Sequence, residues 1–421
     1  MRLGLRLRLR LGLLLRLSLH LLFLLSSPKG ICGCTHSLRP LTYPSLTPMR
    51  YPSPTNMRRL LPSLLFLAAT AAQAQQTPIR VAIVGLTHNH VAGFLSALPK
   101  NQNAKLVAIV ESDTALTQRY ATRFHLDPSL FYKDEEQMID KLHPDAVLVY
   151  TSILNHRKAI EIAAKHNISS MVEKPLATTV EDALAIRTAA RTHHVQVLTN
   201  YETTWYSSNM EALNEAASGK LGEVRKVIVR DGHEGPKEIG VTPEFLDWLT
   251  DPVQNGAGAM FDFGCYGADM VTQMMNGQAP ISVTAVAQTD KPATYPKVED
   301  DATIVLRYPH TQAVLLPSWT WSFSVKNMEV YGVNGTIFTV AADHIRARYK
   351  GDKVETESAA PPLAPEHATS LDYLAAVLHH QIDPKGDLSS LETNMIVVQI
   401  LDAARRSAKT GQTIPLKPLP N

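Results

Sequence analysis

The sequence predicts an α/β protein built in two successive parts, and three observations predict it. Between Ile79 and Leu198, short apolar runs alternate with stretches of helical period, the pattern of buried parallel strands and their crossover helices. From Val224 to Val340 the runs become strands in which apolar and polar residues alternate, as in a sheet with one buried and one wetter face. Asn334-Gly335, between two of these runs, is a strong hairpin signal. The 421 residues suffice for two domains, placed at 78–198 and 199–416.

Residues 1–74 stand apart. They hold ten of the 41 basic residues and none of the 39 acidic ones, so the remainder carries a net charge of −8. An acidic body argues against nucleic acid and anionic membrane surfaces as partners. Cys32 and Cys34 also lie in this prefix, and Cys265 alone remains beyond it. That excludes an intrachain disulfide in the body and a zinc site built on several cysteines. Residues 1–56 alternate Leu with Arg and then turn Pro/Ser/Thr-rich, without the period of a folded element. At Met57 a secretory signal begins: Arg58-Arg59 is the basic region, Leu60 to Ala71 the apolar region, and Ala72-Gln73-Ala74 the cleavage site. The expectation is translation from Met57, export to the periplasm or medium through a signal at 57–74, and a mature chain starting near Gln75 with no membrane span. The paired arginines also fit a twin-arginine signal.

The first strand, Arg80 to Val84, ends at Gly85, and a helix is expected over Val91–Leu98. The dinucleotide fingerprint G-x-G-x-x-G falls on Gly85, Thr87 and His90, so only its first glycine is present. The helix N-terminus is expected to offer free N–H groups to a pyrophosphate, with Thr87 and Asn89 adding side-chain donors. His88 and His90 are two apart with no carboxylate adjacent; they are read as loop residues touching a cofactor, and no metal site is expected. The second strand, Leu106–Val110, is followed by Glu111, 26 residues past Gly85. A carboxylate there binds the adenosine ribose, and with no Arg following it favours NAD over NADP. Helices follow at Thr114–Phe124 and Lys133–Leu142. The strand Ala146–Tyr150 leads into Thr151 and His156, at the strand end where ligands sit in open α/β sheets. A helix over Arg157–His166 and a strand over Ser169–Val172 bring the chain to Glu173-Lys174-Pro175. This Lys lies between the nucleotide-binding part and an acid-bearing segment, a sensible place to handle an alcohol proton.

In the second part Tyr201, Trp205, His233 and Lys237 are candidate substrate contacts, the aromatic rings for stacking on a sugar and the others for its hydroxyls. Val224–Arg230 is a strand, and Asp231 to Lys237 a polar loop. Asp262 and Tyr266, four apart, would share a helix face, and the glycines before them would let the backbone approach a ligand. Strands are expected at Val283–Gln288, Ala302–Tyr308, Gln312–Ser318, Lys326–Tyr331 and Thr336–Val340, an edge segment and loop over 341–368, and helices at Leu371–His380 and Leu391–Lys409.

These residues in combination resemble the Gfo/Idh/MocA family, the glucose–fructose oxidoreductase, inositol dehydrogenase and dihydrodiol dehydrogenase relatives. The matches are Gly85, Thr151 to His156, Glu173-Lys174-Pro175, Ala217 to Val224, the run Gly256-x-Gly258-x-x-x-Asp262-x-Gly264-x-Tyr266-x-x-Asp269, Glu329 to Gly332 and Ala403 to Gly411. The resemblance implies an N-terminal Rossmann domain and a C-terminal α/β domain with a large, mainly antiparallel sheet, often used for homo-oligomer formation. It implies catalysis by Lys174, Asp262 and Tyr266, the last where many relatives carry His. The cofactor-binding set is then Gly85, Thr87, His88, Asn89, His90, Glu111, Thr151, His156, Glu173 and Lys174. The expected activity is hydride transfer between NAD and a CH–OH group of a sugar, polyol or cyclitol. An NAD-dependent glycoside hydrolase and a carbohydrate-binding protein without activity are the two other readings.

Overall fold

In the computed structural model, residues 77–420 are described. The 1–56 prefix and the export signal at 57–74 lie outside them. The first sheet has six parallel strands: β1 (Ile79–Val84), β2 (Ala104–Val110), β3 (Phe131–Tyr132), β4 (Ala146–Val149), β5 (Ser169–Glu173) and β6 (Val197–Asn200). Their order is β3-β2-β1-β4-β5-β6, with the reversal between β1 and β4 where a nucleotide crevice forms. The crossover helices are α1 (His90–Ala97), α2 (Thr114–Phe124), α3 (Glu135–Leu142), α4 (His156–Lys165) and α5 (Val180–His193). Side chains start several of them: Asp113 accepts from the N–H groups of Ala115 and Leu116, Asp134 from Gln137 and Thr179 from Asp182, each satisfying orphan donors of a first turn.

The second sheet has nine strands among the described residues: β7 (Val224–Gly232), β8 (Ser282–Gln288), β9 (Asp301–Arg307), β10 (Gln312–Ser318), β11 (Val325–Gly332), β12 (Gly335–Ala341), β13 (His344–Tyr349), β14 (Thr356–Ala359) and β15 (Ile414–Pro415). They run β14-β13-β12-β11-β7-β10-β9-β8-β15. Every pairing is antiparallel except β10 with β7. The hairpin at Asn334-Gly335 is present, with Tyr331 opposite Thr336. The remaining helices are α6 (Ser207–Ala217), α7 (Pro243–Leu249), α8 (Ala259–Asp262), α9 (Gly264–Met274), α10 (Ser370–Leu378) and α11 (Leu391–Thr410).

Three expectations change. Residues 341–368 supply two strands rather than an edge loop. β13 alternates Ile345 and Ala347 inward with arginines outward, and β14 is exposed throughout and held by its backbone register to β13. Asp231 and Gly232 belong to β7 rather than to a loop. The glycine run ahead of Asp262 meets the chain itself, not a ligand: a Cβ on Gly258 would stand 1.9 Å from the Glu299 carbonyl oxygen, and one on Gly256 2.5 Å from the Phe261 ring.

The cores do not follow the order of the chain. Leu371, Tyr373 and Leu374 of α10 pack with β1 and β2 residues on one side of the first sheet. Met395 and Val398 of α11 pack into its other side, while Val397, Ile400 and Leu401 of the same helix join the core under the second sheet. No helix among the described residues is long and apolar enough to cross a membrane.

Candidate active site

Lys174 directly follows β5 and points into the second half. Its Nζ donates to Asp262 Oδ1 at 2.5 Å and to the Asp262 carbonyl at 2.9 Å. Asp262 Oδ2 accepts from Trp319 Nε1 at 2.9 Å. Burial alone would lower the pKa of the Lys174 ammonium, but the Asp262 carboxylate outweighs it and holds it above the ordinary value. Burial likewise works to raise Asp262, and Lys174 overrides it and holds that carboxyl below the usual range. The pair is therefore charged, and two of the three Lys174 donors are engaged, leaving one for a substrate oxygen.

Tyr266 follows a break: Asp262 closes α8, and α9 begins at Gly264. Lys174 and Lys326 lie 5.0 and 5.2 Å from the centre of the Tyr266 ring, so both ammonium groups interact with its π-system. Burial carries the phenol well above its ordinary pKa. Lys174 does not lower it, and Tyr266 keeps its proton at neutral pH. His233 joins the cluster, its ring 4.9 Å from that of Phe263 and its pKa lowered by burial.

Four expected ligand contacts are placed elsewhere. Tyr201 is fully buried in the core and donates to Asn394 Oδ1 at 2.7 Å. Lys237 is exposed, and its backbone N–H donates to the Tyr295 hydroxyl. His156 is buried with Nδ1 3.2 and 3.3 Å from the carbonyls of Pro175 and Leu176, and burial lowers its pKa to about 4. It holds the turn that carries Lys174 and faces no cleft. His88 is 1% exposed, packed 4.7 Å from the Phe245 ring and 5.4 Å from that of Trp248.

The strand ends open into two clefts. One, of about 680 Å³, is lined by Gly85, Thr87, Glu111, Thr151 and Asn155. Gly85 turns there with φ +86°. A Cβ on it would meet Thr151 at 2.6 Å, so the turn and the close approach both require glycine here. Glu111 stands at the end of β2, its two oxygens accepting from the N–H groups of Leu86 and Asp113, each at 2.9 Å. A carboxylate in this position fits the ribose of a dinucleotide. The pyrophosphate end differs from expectation, because the first N–H groups of α1 are already used. His90 N–H donates to His88 Nδ1, Val91 N–H to the His88 carbonyl and Ala92 N–H to the Asn89 carbonyl. Asn89 is held from the other side: its Oδ1 accepts from Thr242, which orients the amide without engaging its N–H donors, and the Thr87 carbonyl accepts from Trp248 Nε1. The second half therefore clasps the loop.

The other cleft, of about 780 Å³, is lined by His90, Glu173, Asn200, Glu202 and Trp205 among others. Trp205 is the one expected aromatic contact that reaches a cleft, and its Nε1 donates to Asn200 Oδ1 at 3.0 Å. Asn200 sits at the end of β6, so the strand-end rule that singled out Thr151 applied to it as well.

Asp231 and Lys326 are opposite each other on β7 and β11, and Lys326 pairs with Glu202. Reading residues 231–237 as a loop hid Asp231. It is buried, and burial pushes its carboxyl up to about 8. The folded chain thus holds a proton between about pH 4 and 8 that the unfolded chain releases. Stability from this group is full below its unfolded pKa and is lost as pH rises through the folded value. Asp231→Asn is accordingly expected to be more stable than the parent by about 2–4 kcal/mol at about pH 9, with little difference at about pH 4. Urea unfolding at the two pH values checks this, and a gap independent of pH would contradict it.

The comparisons agree with this geometry. A family model described as the oxidoreductase family with an NAD-binding Rossmann fold matches residues 79–201, and one described as the GFO/IDH/MocA C-terminal domain matches 211–338. Trans-1,2-dihydrobenzene-1,2-diol dehydrogenase of Xenopus laevis is 23% identical over 330 residues, covering 76% of this chain and 94% of that protein. The structure of aldose-aldose oxidoreductase from Caulobacter crescentus, complexed with glycerol, superposes with TM-score 0.69 at 23% identity, covering 80% of this chain and all of that one. An inositol dehydrogenase homolog from Azotobacter vinelandii complexed with NAD+ gives TM-score 0.69 at 19% identity, covering 81% and 98%. With a parallel NAD-binding sheet, a second mostly antiparallel one, and both family models matched in order, the chain belongs to the Gfo/Idh/MocA family of oxidoreductases.

Proposed function

We propose that this protein is an exported, NAD-dependent oxidoreductase acting on a CH–OH group of a sugar, polyol or cyclitol. The observation that carries the reading is the buried Lys174–Asp262 pair beside the nucleotide strand ends. Glu111, Gly85, Thr87 and Thr151 would hold NAD, and the absence of a basic residue after Glu111 favours it over NADP. When bound, that cofactor supplies the hydride acceptor. Lys174 directs its remaining donor at the substrate oxygen and stabilises negative charge developing there. Asp262 fixes the direction of that donor. Tyr266, protonated at neutral pH, could give a proton to a carbonyl oxygen during reduction only as a weak acid, since burial holds its pKa well above the ordinary value. Trp205, lining the larger cleft, is the aromatic surface on which a sugar ring would rest. The family's use of the large sheet supports a homo-oligomer.

A second reading is favoured by the clasp of Thr242 and Trp248 on the nucleotide loop. A loop so covered suits a cofactor that stays bound, as in a glycosidase that oxidises and re-reduces one sugar carbon. One experiment separates the readings. The protein recovered from the producing cells' periplasm is analysed for its N-terminus and bound nucleotide, then assayed on polyols, sugars and p-nitrophenyl glycosides. The expected result is a chain starting at or near Gln75 that reduces added NAD in proportion to substrate oxidised. Glycoside cleavage with no net NADH marks the second reading. A chain that binds no nucleotide, or that keeps residues 1–56, refutes the corresponding part of the proposal.

A further inference from the structure

We infer that His88, His90 and Glu173 form a binding site for a divalent first-row transition metal. His88 lies in the loop after β1 and His90 opens α1, and the third is 83 residues beyond His90 at the end of β5. The fold supplies the carboxylate that their local sequence lacks. One donor atom from each lies within 4.8 Å of the others. His90 Nδ1 is 2.9 Å and His88 Nε2 3.9 Å from the same oxygen, Glu173 Oε2. Around an ion bound at about 2.0–2.1 Å, tetrahedral donors stand roughly 3.4 Å apart, between the two distances seen. Two imidazoles and one carboxylate on one side of an ion are a donor set for zinc, iron or manganese with positions left open.

The surroundings are those of a built site. Glu173 is 2% exposed, and its other oxygen accepts from Asn200 Nδ2 at 3.2 Å. Asn200 is in turn fixed by Trp205 Nε1. Such an outer shell orients a ligating carboxylate. The His88 ring is held by Phe245 and Trp248. His90 and Glu173 line the 780 Å³ cleft, so open positions on the ion would face space large enough for a hydroxylated ligand. A plain His90–Glu173 hydrogen bond accounts for one imidazole. The second, buried imidazole is turned by its packing and by the His90 N–H so that its Nε2 faces the same oxygen, at a distance too long for a hydrogen bond. Ligation through Nε2 places the His88 proton on Nδ1, and the 3.2 Å contact from the His90 N–H is the one bond given up.

The inference needs neither the nucleotide nor turnover, so it stands or falls separately from the hydride-transfer reading. The full chain is stripped with EDTA, dialysed, and titrated with Zn²⁺ by calorimetry and with Co²⁺ by visible absorption. One ion per chain is expected, with Co²⁺ bands of a four- or five-coordinate nitrogen and oxygen site. His90→Ala and Glu173→Gln are each expected to weaken binding at least about tenfold. His90 is 41% exposed, so its variant should keep the fold, which circular dichroism checks. Absence of stoichiometric binding, or equal affinity in a folded His90→Ala variant, overturns the site.

Discussion

Lys174→Met lowers turnover by roughly 10³-fold, the scale of losing a preorganised donor at a developing oxyanion. It also destabilises the chain by about 3–5 kcal/mol, because Asp262 is left buried without its counter-charge. The two losses are separable. In the parent, Asp262 titrates below its unfolded value, so its contribution to stability is present above that value and lost as pH falls through the folded pKa. Without Lys174, burial becomes the larger influence and the sign reverses: the carboxyl takes up a proton, and stability is lost as pH rises. Denaturant unfolding at about pH 5 and 8 therefore shows the variant's deficit widening with pH. Lys174→Met combined with Asp262→Leu regains most of the stability and none of the turnover. A single variant with near-parental turnover removes Lys174 from the mechanism.

Gly258→Ala is expected to cost at least about 3 kcal/mol, at the upper end for overpacking. Its new carbon would meet the backbone oxygen of Glu299 at 1.9 Å, and no side chain can swing away to relieve it. The same strand lead-in is laced to α8 by Glu299 Oε1, which accepts from Gly258 and Met260, and by the Glu299 carbonyl, which accepts from Ala259. Asp300 next to it accepts from the Trp319 N–H. A shift here therefore moves Asp262 and Trp319 relative to Lys174. Loss of turnover in the fraction that remains folded, measured beside the unfolding midpoint, distinguishes this from simple destabilisation. A variant as stable and active as the parent would mean that the close approach is not maintained in solution.

Much of the architecture was legible because it is locally encoded. The Thr114–Phe124 helix and the Gln312–Ser318 strand have the bounds read from sequence: Asp113 caps the one, and a short apolar run bounded by polar residues marks the other. β13 was missed because only Ile345 and Ala347 mark its inward face among charged and polar residues, and the edge strand β14 has no apolar side chain larger than Ala359 to mark it. At the site, Lys174 and Asp262 were found through the family motif, since nothing local joins residues 88 apart. The orientations of His88, His156 and Tyr201 were not legible. Period and spacing place a residue on an element but do not say which of two clefts, or neither, its side chain enters. The meeting of Glu173 with His88 and His90 was invisible for the same reason.

The placement of α10 and α11 governs when the protein can fold. A chain is made from its N-terminus, and all six strands of the parallel sheet exist once Asn200 has been added. Its core does not: Leu374 and Met395 lie 174 and 195 residues further along the chain. Until then both faces of that sheet lack part of their cover, and the apolar surface awaiting α10 and α11 stays in contact with water. The nucleotide-binding half is thus synthesised before the second sheet and sealed after it, so its maturation waits on synthesis through α11.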